Sequence, residues 1–186
     1  MNEFADLHGN EIGTLLAPMA VTLITSRFTD ETESAQRDRV ATIAWVMPIS
    51  HEPSLIAVAI RPAGSTARAM VQSGQFVVNV LGASEDAQRI ALVCGKKSGV
   101  EDRFTEAHIT AAAAREVDVP RIEEAVSWIE CELLEHAVHG DHELFIGRTL
   151  CAYTKGVVDE AGKLAPLPVL IMGERSSFGH FEKGFE

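Results

Sequence analysis

The residues best suited to chemistry, by type and spacing, are three histidines in the segment EHAVHGDHELFIG. His136, His139 and His142 fall within seven residues of a chain that holds seven histidines, and Asp141 lies among them. Imidazole nitrogens and a carboxylate are common metal ligands, and a histidine beside a carboxylate can also form an acid–base pair. A third interpretation is a β-hairpin whose polar tip faces water. All three interpretations stay open until the surrounding elements are placed.

A second group of candidate residues lies between Arg39 and Thr66. A strand with Trp45 leads through two prolines into an apolar strand, and the next loop ends in Ser65 and Thr66 at a predicted helix start. Hydroxyl donors at a helix N-terminus form a ready site for an anion, and Arg61 adds positive charge. The alternative is that Thr66 only caps its helix.

The elements that must position these groups are short strands and few helices. Apolar or alternating runs between turn-rich segments predict strands at 20–26, 40–46, 54–60, 76–81, 127–139, 143–154 and 168–173. The clear helical patterns are 67–74, capped by Ser65 or Thr66, and 87–95, capped by Ser84. Helix–strand alternation is too sparse for a doubly wound parallel sheet. The pattern therefore predicts an antiparallel barrel or sandwich with helices packed outside it.

The bulk composition limits the partners and the compartment. A chain of 186 residues fits one domain, here 1–186, and its net charge of −11 repels nucleic acid and anionic membrane surfaces. No apolar run is long enough to span a membrane, and the N-terminus lacks the pattern of a signal peptide. Cys94, Cys131 and Cys151 are widely spaced, which predicts reduced thiols and a cytoplasmic location. There is no P-loop and no Rossmann fingerprint.

Four separated motifs occur in a recognisable order. They are TIAWVMPIS…EPSLIAVAI…ST, then GQFVVNVL, then DRF, and then IECELLEHAVHGDHELFIGRTLCA. In this order, over about residues 16–153, the chain resembles the flavin reductase-like family, which includes flavoredoxins and the small reductase components of two-component monooxygenases. The resemblance implies a mainly β fold, a six-stranded antiparallel split β-barrel with flanking helices, and a C-terminal extension at 154–186. It also implies a homodimer with FMN near the subunit interface, NADH or NADPH as electron donor, and a monooxygenase or other electron acceptor as partner protein.

The resemblance also assigns the site residue by residue. Residues along the flavin ring and ribityl chain would be Thr42, Ala44 and Trp45, mainly through backbone groups. Donors near the phosphate would be Ser50, Ser65 and Thr66, with Arg61 supporting the charge. Arg103 stands where the family often has lysine and would face the phosphate or the ring, and His142 would approach the flavin edge and act electrostatically on it.

The chain departs from the family at several positions. Arg39 and Ala44 stand where the family often has asparagine and serine, and the segment 27–39 is longer than the usual hairpin. The loop over the phosphate is therefore expected to be remodelled. Aromatic residues of the tail, Phe178 and Phe181 with His180, are further candidates for a place beside the flavin, with ordinary packing as the alternative.

Three functions follow from these observations. The first is an NAD(P)H-dependent flavin reductase or electron-transfer flavoprotein, and the second is a non-catalytic flavin-binding module. The third is a metal-binding protein that uses His136, His139, His142 and Asp141. Along one strand, positions 136 and 142 share parity but 139 does not, and a turn at Gly140–Asp141 separates them. We therefore expect no metal site, with His136 and His139 on the hairpin surface and His142 at the flavin.

Overall fold

The computed structural model describes residues 10–30, 35–96, 102–160, 162–163, 165, 167–173 and 177–180. The helices of this part are α1 (Asn10–Thr14), α2 (Ser65–Ser73), α3 (Glu85–Gly95) and α4 (Arg103–Ala107). Its strands are β1 (Met19–Ala20), β2 (Thr22–Asp30), β3 (Ala35–Ile43), β4 (Val46–His51), β5 (Ser54–Ile60), β6 (Gln75–Val80), β7 (Ala111–Ala112), β8 (Arg121–Ile122), β9 (Ser127–His139), β10 (His142–Thr154), β11 (Leu170–Met172) and β12 (Phe178–His180). The predicted mainly β class is confirmed.

A seven-stranded antiparallel sheet dominates the fold, in the order β3-β2-β6-β9-β10-β5-β4. The prediction of six barrel strands is short by one, because the run taken as a single strand at 40–46 is divided between β3 and β4. Strand β4 also continues through Pro48, beyond the end of the predicted strand at 46. Proline has no N–H to donate to a ladder, and β4 tolerates Pro48 because it is an edge strand.

The two edge strands of this sheet are consecutive in the chain. Only Ala44 and Trp45 separate the end of β3 from the start of β4. The carbonyl of Trp45 accepts a hydrogen bond from Ala59 N at 2.9 Å, and that of Ala44 accepts one from Val46 N at 3.0 Å. A sheet whose first and last strands are joined by two residues must curl on itself, which produces the barrel.

Two apolar clusters fill the space inside and beside the curled sheet. Phe76, Phe145, Ile24 and Met70 are fully buried in the first, which lies between the sheet and α2. The second packs α3 and α4 against β2 and β3, and it includes Leu170 of β11. In a separate three-stranded sheet, with the order β1-β11-β12, strand β11 from the C-terminal part of the chain pairs with β1.

Gly147 of β10 lies directly against the ring of Phe76 from β6. A β-carbon at this position would clash with Phe76 Cζ and lie 3.0 Å from Cys131 Cβ, beside a register shift between β9 and β10. Gly147→Ala is expected to lower the free energy of unfolding by about 1–3 kcal/mol, because overpacking a filled core forces side chains off their rotamers. Urea unfolding measures the change. Gly179→Ala is the control, since its β-carbon would meet only an ordinary contact at 3.9 Å. Equal stability of the two variants would contradict the prediction.

The three cysteines are free thiols, as expected. Within the described ranges, no helix combines the length and apolar character that crossing a bilayer requires.

Candidate functional site

A cavity of about 860 Å³ lies between the end of β3, the start of α2, the end of α3 and the tip of the β9–β10 hairpin. Eight of the nine residues that the resemblance assigned to the flavin site line this cavity: Thr42, Ala44, Trp45, Arg61, Ser65, Thr66, Arg103 and His142. Ser50 does not line this cavity. It follows a register shift in β4 and pairs with Leu55 close to the next turn.

Helix α2 begins at the cavity without a side-chain cap. Its N-cap is Gly64 in an extended conformation, so the prediction that Ser65 or Thr66 caps the helix is wrong. Thr66 is only 2 % exposed, and within the described residues its hydroxyl has no hydrogen-bond partner. The first N–H groups of a helix lack intrahelical acceptors. The cavity therefore meets a helix N-terminus together with a buried hydroxyl that still needs a partner, which is the arrangement of an anion site.

The charged side chains around the cavity are predominantly cationic, although the whole chain carries a net charge of −11. In the described part, the lining includes Arg39, Arg61, Arg68, Lys96 and Arg103, and its acidic member is Asp38. Asp38 Oδ1 is in turn 2.7 Å from Arg27 Nε. The cavity thus attracts anions locally despite the repulsive global field.

Arg68 and Lys96 were not nominated as ligands from the sequence. Arg68 lies in the first turn of α2, where the helix dipole disfavours a positive charge. A cation in that position is the signal that could have identified it. Lys96, the residue that follows α3, also lines the cavity. Lys97 lies outside the described residues, as does Phe181.

Arg103 reaches the cavity but directs its donors to the backbone. Its Nη1 donates to Val40 O at 2.9 Å and to Cys94 O at 3.3 Å, and its Nη2 donates to Lys96 O at 2.9 Å. These carbonyls belong to β3 and to the end of α3. The contacts with the backbone make Arg103 a residue that joins two walls of the cavity, a role different from the ligand contact that the sequence suggested.

Thr42 is also occupied by the protein. Its hydroxyl donates to Ala91 O of α3 at 2.7 Å, so the groups left for a ligand at this position are those of the backbone. That the end of β3 contacts a ligand mainly through main-chain groups stays a prediction.

An aromatic pair closes another side of the cavity. The rings of Trp45 and His142 lie 4.7 Å apart between centroids, at an interplanar angle of 35°. His142 Nδ1 is 2.8 Å from Asp141 Oδ1. The hydrogen bond from His142 lowers the pKa of Asp141 below its usual value, so this carboxylate is ionised at neutral pH. A flat apolar face beside a polar edge suits a planar heteroaromatic ligand.

The three histidines of the hairpin do not converge. His139 and His142 are direct cross-strand partners and share a face, whereas His136 pairs with Phe145 and lies on the opposite face. The sequence grouped His136 with His142 by treating residues 136–142 as one continuous strand, and this grouping is wrong. The turn at Gly140–Asp141 divides these residues between two paired strands, β9 and β10. His136 also contacts Glu143, at 2.6 Å. No group of three or more potential metal ligands occurs among the residues that the structure describes.

Comparison with known proteins gives one family for most of the chain. The model of the "Flavin reductase like domain" matches residues 15–175. A protein of unassigned function from Pyrococcus abyssi is 34% identical over 149 residues, which cover 80% of this chain and 81% of that protein. An NADH-dependent FMN reductase of Streptomyces nodosus subsp. asukaensis is 26% identical over 133 residues, covering 72% of this chain and 67% of that enzyme.

The fold has close counterparts among solved structures. The FMN-binding protein from Thermus thermophilus superimposes on this chain with a TM-score of 0.81. The superposition covers 100% of this chain and 99% of the Thermus protein. Its sequence is 23% identical, so this likeness concerns the architecture.

Proposed function

The chain belongs to the flavin reductase-like family, and on this basis we propose that it binds FMN in the cavity at α2 and passes electrons from NADH or NADPH through it. The observation that carries the proposal is the buried hydroxyl of Thr66 at the start of α2, which has no hydrogen-bond partner in the described part of the chain. A buried polar group without a partner is destabilising by about 1–3 kcal/mol. A phosphate oxygen at this helix N-terminus would satisfy both the hydroxyl and the free N–H groups.

The residues present fit a flavin mononucleotide in three respects. The anion site at α2 suits a phosphate, and Arg61, Arg68 and Lys96 surround it with positive charge. The main-chain groups at the end of β3 suit the hydroxyls of a ribityl chain. The Trp45–His142 pair suits the edge of a planar ring. The volume of about 860 Å³ lies within the range of small-molecule sites and leaves room for a second ligand beside the first.

When bound, FMN would supply the hydride-accepting ring, so the chain itself needs no general base. Its residues bind and orient the reactants. The start of α2 and the cationic side chains fix one end of the cofactor, while Trp45 limits where its ring can lie. The cations that line the cavity, Arg61, Arg68 and Lys96, would oppose the negative charge that a reduced ring carries. Arg103 would contribute indirectly, because its hydrogen bonds to Val40 O and Lys96 O hold β3 and the end of α3 together as one wall of the cavity.

The partners follow from the same proposal. Electrons would leave to a monooxygenase or another acceptor protein, as expected for reductase components, and the protein would act as a homodimer in the cytoplasm. The NADH-dependent FMN reductase among the relatives supports a pyridine nucleotide as electron donor.

The phosphate contact can be tested by comparing FMN with riboflavin, which lacks the phosphate. We expect FMN to bind at least about 10-fold more tightly, since a hydrogen bond to a charged group contributes about 1.5–3 kcal/mol. Quenching of flavin fluorescence on titration with apoprotein measures both affinities. Raising the salt concentration is expected to weaken FMN binding and leave riboflavin binding nearly unchanged. Equal affinities for the two flavins would contradict the assignment of α2 to a phosphate.

A further inference from the structure

An exposed carboxylate contacts the one histidine that lines the cavity in the described part of the chain. Asp141 is 80% exposed at the hairpin turn, and its Oδ1 lies 2.8 Å from Nδ1 of His142, whose side chain is 23% exposed. The same imidazole packs on Trp45. Asp141 therefore contacts the ring from the solvent side, while the ring itself belongs to the cavity wall.

The chemistry of this contact determines which nitrogen of His142 carries hydrogen. An ionised carboxylate can only accept hydrogen bonds, so the hydrogen between the two groups belongs to Nδ1. A neutral imidazole has one N–H, and Nε2 is then a lone-pair acceptor. In the ring, Nε2 lies on the side turned away from the group that Nδ1 contacts. A carboxylate in this position is the same device that fixes the tautomer of histidines in many metal and catalytic sites.

We propose that Asp141 is a positioning residue that holds His142 as the Nδ1–H tautomer, so that Nε2 accepts a hydrogen bond from an N–H group of the ligand in the cavity. The inference rests on the proposed flavin site and specifies its chemistry. Two ligands carry a suitable group: the flavin ring has an imide N–H, and the nicotinamide of NADH or NADPH has a carboxamide N–H. Nε2 of His142 would therefore select for the N–H donor of one of these rings.

The hairpin contains a matched pair that serves as an internal reference. His136 Nδ1 contacts Glu143 Oε1 at 2.6 Å, and its ring stacks on Phe145 at 5.5 Å between centroids. This pair lies on the opposite face of the hairpin, and neither residue lines the cavity. A change at Asp141 should therefore alter His142 and leave His136 as it is.

The first experiment reads the tautomer directly. Long-range ¹⁵N–¹H correlation spectra of the apoprotein distinguish Nδ1–H from Nε2–H imidazoles, and neither flavin nor turnover is needed. We expect His142 to show the Nδ1–H pattern in the wild type and in Asp141→Asn, because the amide oxygen still accepts a hydrogen bond. In Asp141→Ala we expect a substantial population of Nε2–H, with His136 unchanged in the same spectra. An unchanged His142 pattern in Asp141→Ala would overturn the proposal.

The second experiment measures the affinities of the variants for the two ligands. We expect Asp141→Ala to weaken the affinity for one of the two ligands by about 3- to 10-fold, the range for loss of a single hydrogen bond. Asp141→Asn should stay near the wild type. His139 is the cross-strand partner of His142 but does not line the cavity, so His139→Asn should also leave binding near the wild type. Asp141 is exposed, so we expect all three variants to unfold in urea at the wild-type midpoint.

Two modified ligands distinguish the sources of the N–H group. N3-methyl-FMN lacks the imide hydrogen, and 3-acetylpyridine adenine dinucleotide lacks the carboxamide hydrogens. The wild type should bind one of these less tightly than its parent, and Asp141→Ala should lose that discrimination. If Asp141→Ala discriminates as the wild type does against both, the proposal is wrong. If the wild type binds no flavin at all, the proposed function fails, and the proposal fails with it.

Discussion

Replacing Arg103 with alanine is expected to lower both the free energy of unfolding and the affinity for FMN. The guanidinium donates to the carbonyls of Val40 on β3 and of Cys94 and Lys96 at the end of α3. Without it, these carbonyls lose a charged donor and the two cavity walls lose their link. We expect destabilisation by about 2–4 kcal/mol, given about 1.5–3 kcal/mol for hydrogen bonds to a charged group. Urea unfolding and FMN titration measure the two effects.

Arg103→Lys separates the geometry of the side chain from its charge. A lysine ammonium is a compact point charge, whereas the planar fork of arginine can contact acceptors on two elements at once. We therefore expect lysine to recover less than half of the lost stability. If it restores stability and FMN affinity fully, then positive charge alone matters at this position. Arg103 would then regain the direct ligand role that the sequence suggested.

Replacing Thr66 with valine is expected to change stability and binding in opposite directions. Valine has nearly the shape of threonine without the hydroxyl, which is buried and has no hydrogen-bond partner among the described residues. Removing an unsatisfied buried hydroxyl should raise the free energy of unfolding by about 1 kcal/mol, at the lower end of its desolvation penalty. The affinity for FMN should fall at least about 10-fold, because the phosphate loses a charge-assisted hydrogen bond. Thermal unfolding of the apoprotein and flavin titration provide the two numbers.

Two further variants control this result. Thr66→Ser keeps a hydroxyl at the start of α2 and should retain most of the FMN affinity. Thr149→Val removes another buried hydroxyl, on β10 and outside the cavity, and should leave FMN binding unchanged. A Thr66→Val protein that binds FMN as tightly as the wild type would show that this hydroxyl does not contact the phosphate.

The sequence predicts the elements well where local signals decide them. Ser84 caps α3 as expected, by accepting a hydrogen bond from Ala87 N at 3.0 Å. The alternating pattern of β9 and β10 and the turn between them are also confirmed. The error at the start of α2 arises because Gly64, Ser65 and Thr66 are all acceptable N-cap residues. Local rules could not show that Ser65 and Thr66 would line a cavity.

The site was harder to predict, because its contacts join parts of the chain that are distant in sequence. The motif order brought Trp45 and His142 to the same cavity by resemblance, yet periodicity alone gives no pairing between β-strands so far apart. Arg103 is a clearer case. A basic residue after Asp102 looks like a ligand for an anion, but the backbone carbonyls that it binds are exposed only by the way in which α3 ends beside β3.

The central claim is that the cavity at α2 holds a flavin that a pyridine nucleotide can reduce. The most direct measurement is an anaerobic absorbance spectrum near 450 nm of the purified protein reconstituted with FMN, before and after adding NADH or NADPH. We predict a flavin band that co-elutes with the protein on gel filtration and bleaches with one of the two nucleotides. A protein that retains no FMN at micromolar concentration would contradict the claim. A band that persists with both nucleotides would instead identify a non-catalytic flavin-binding module.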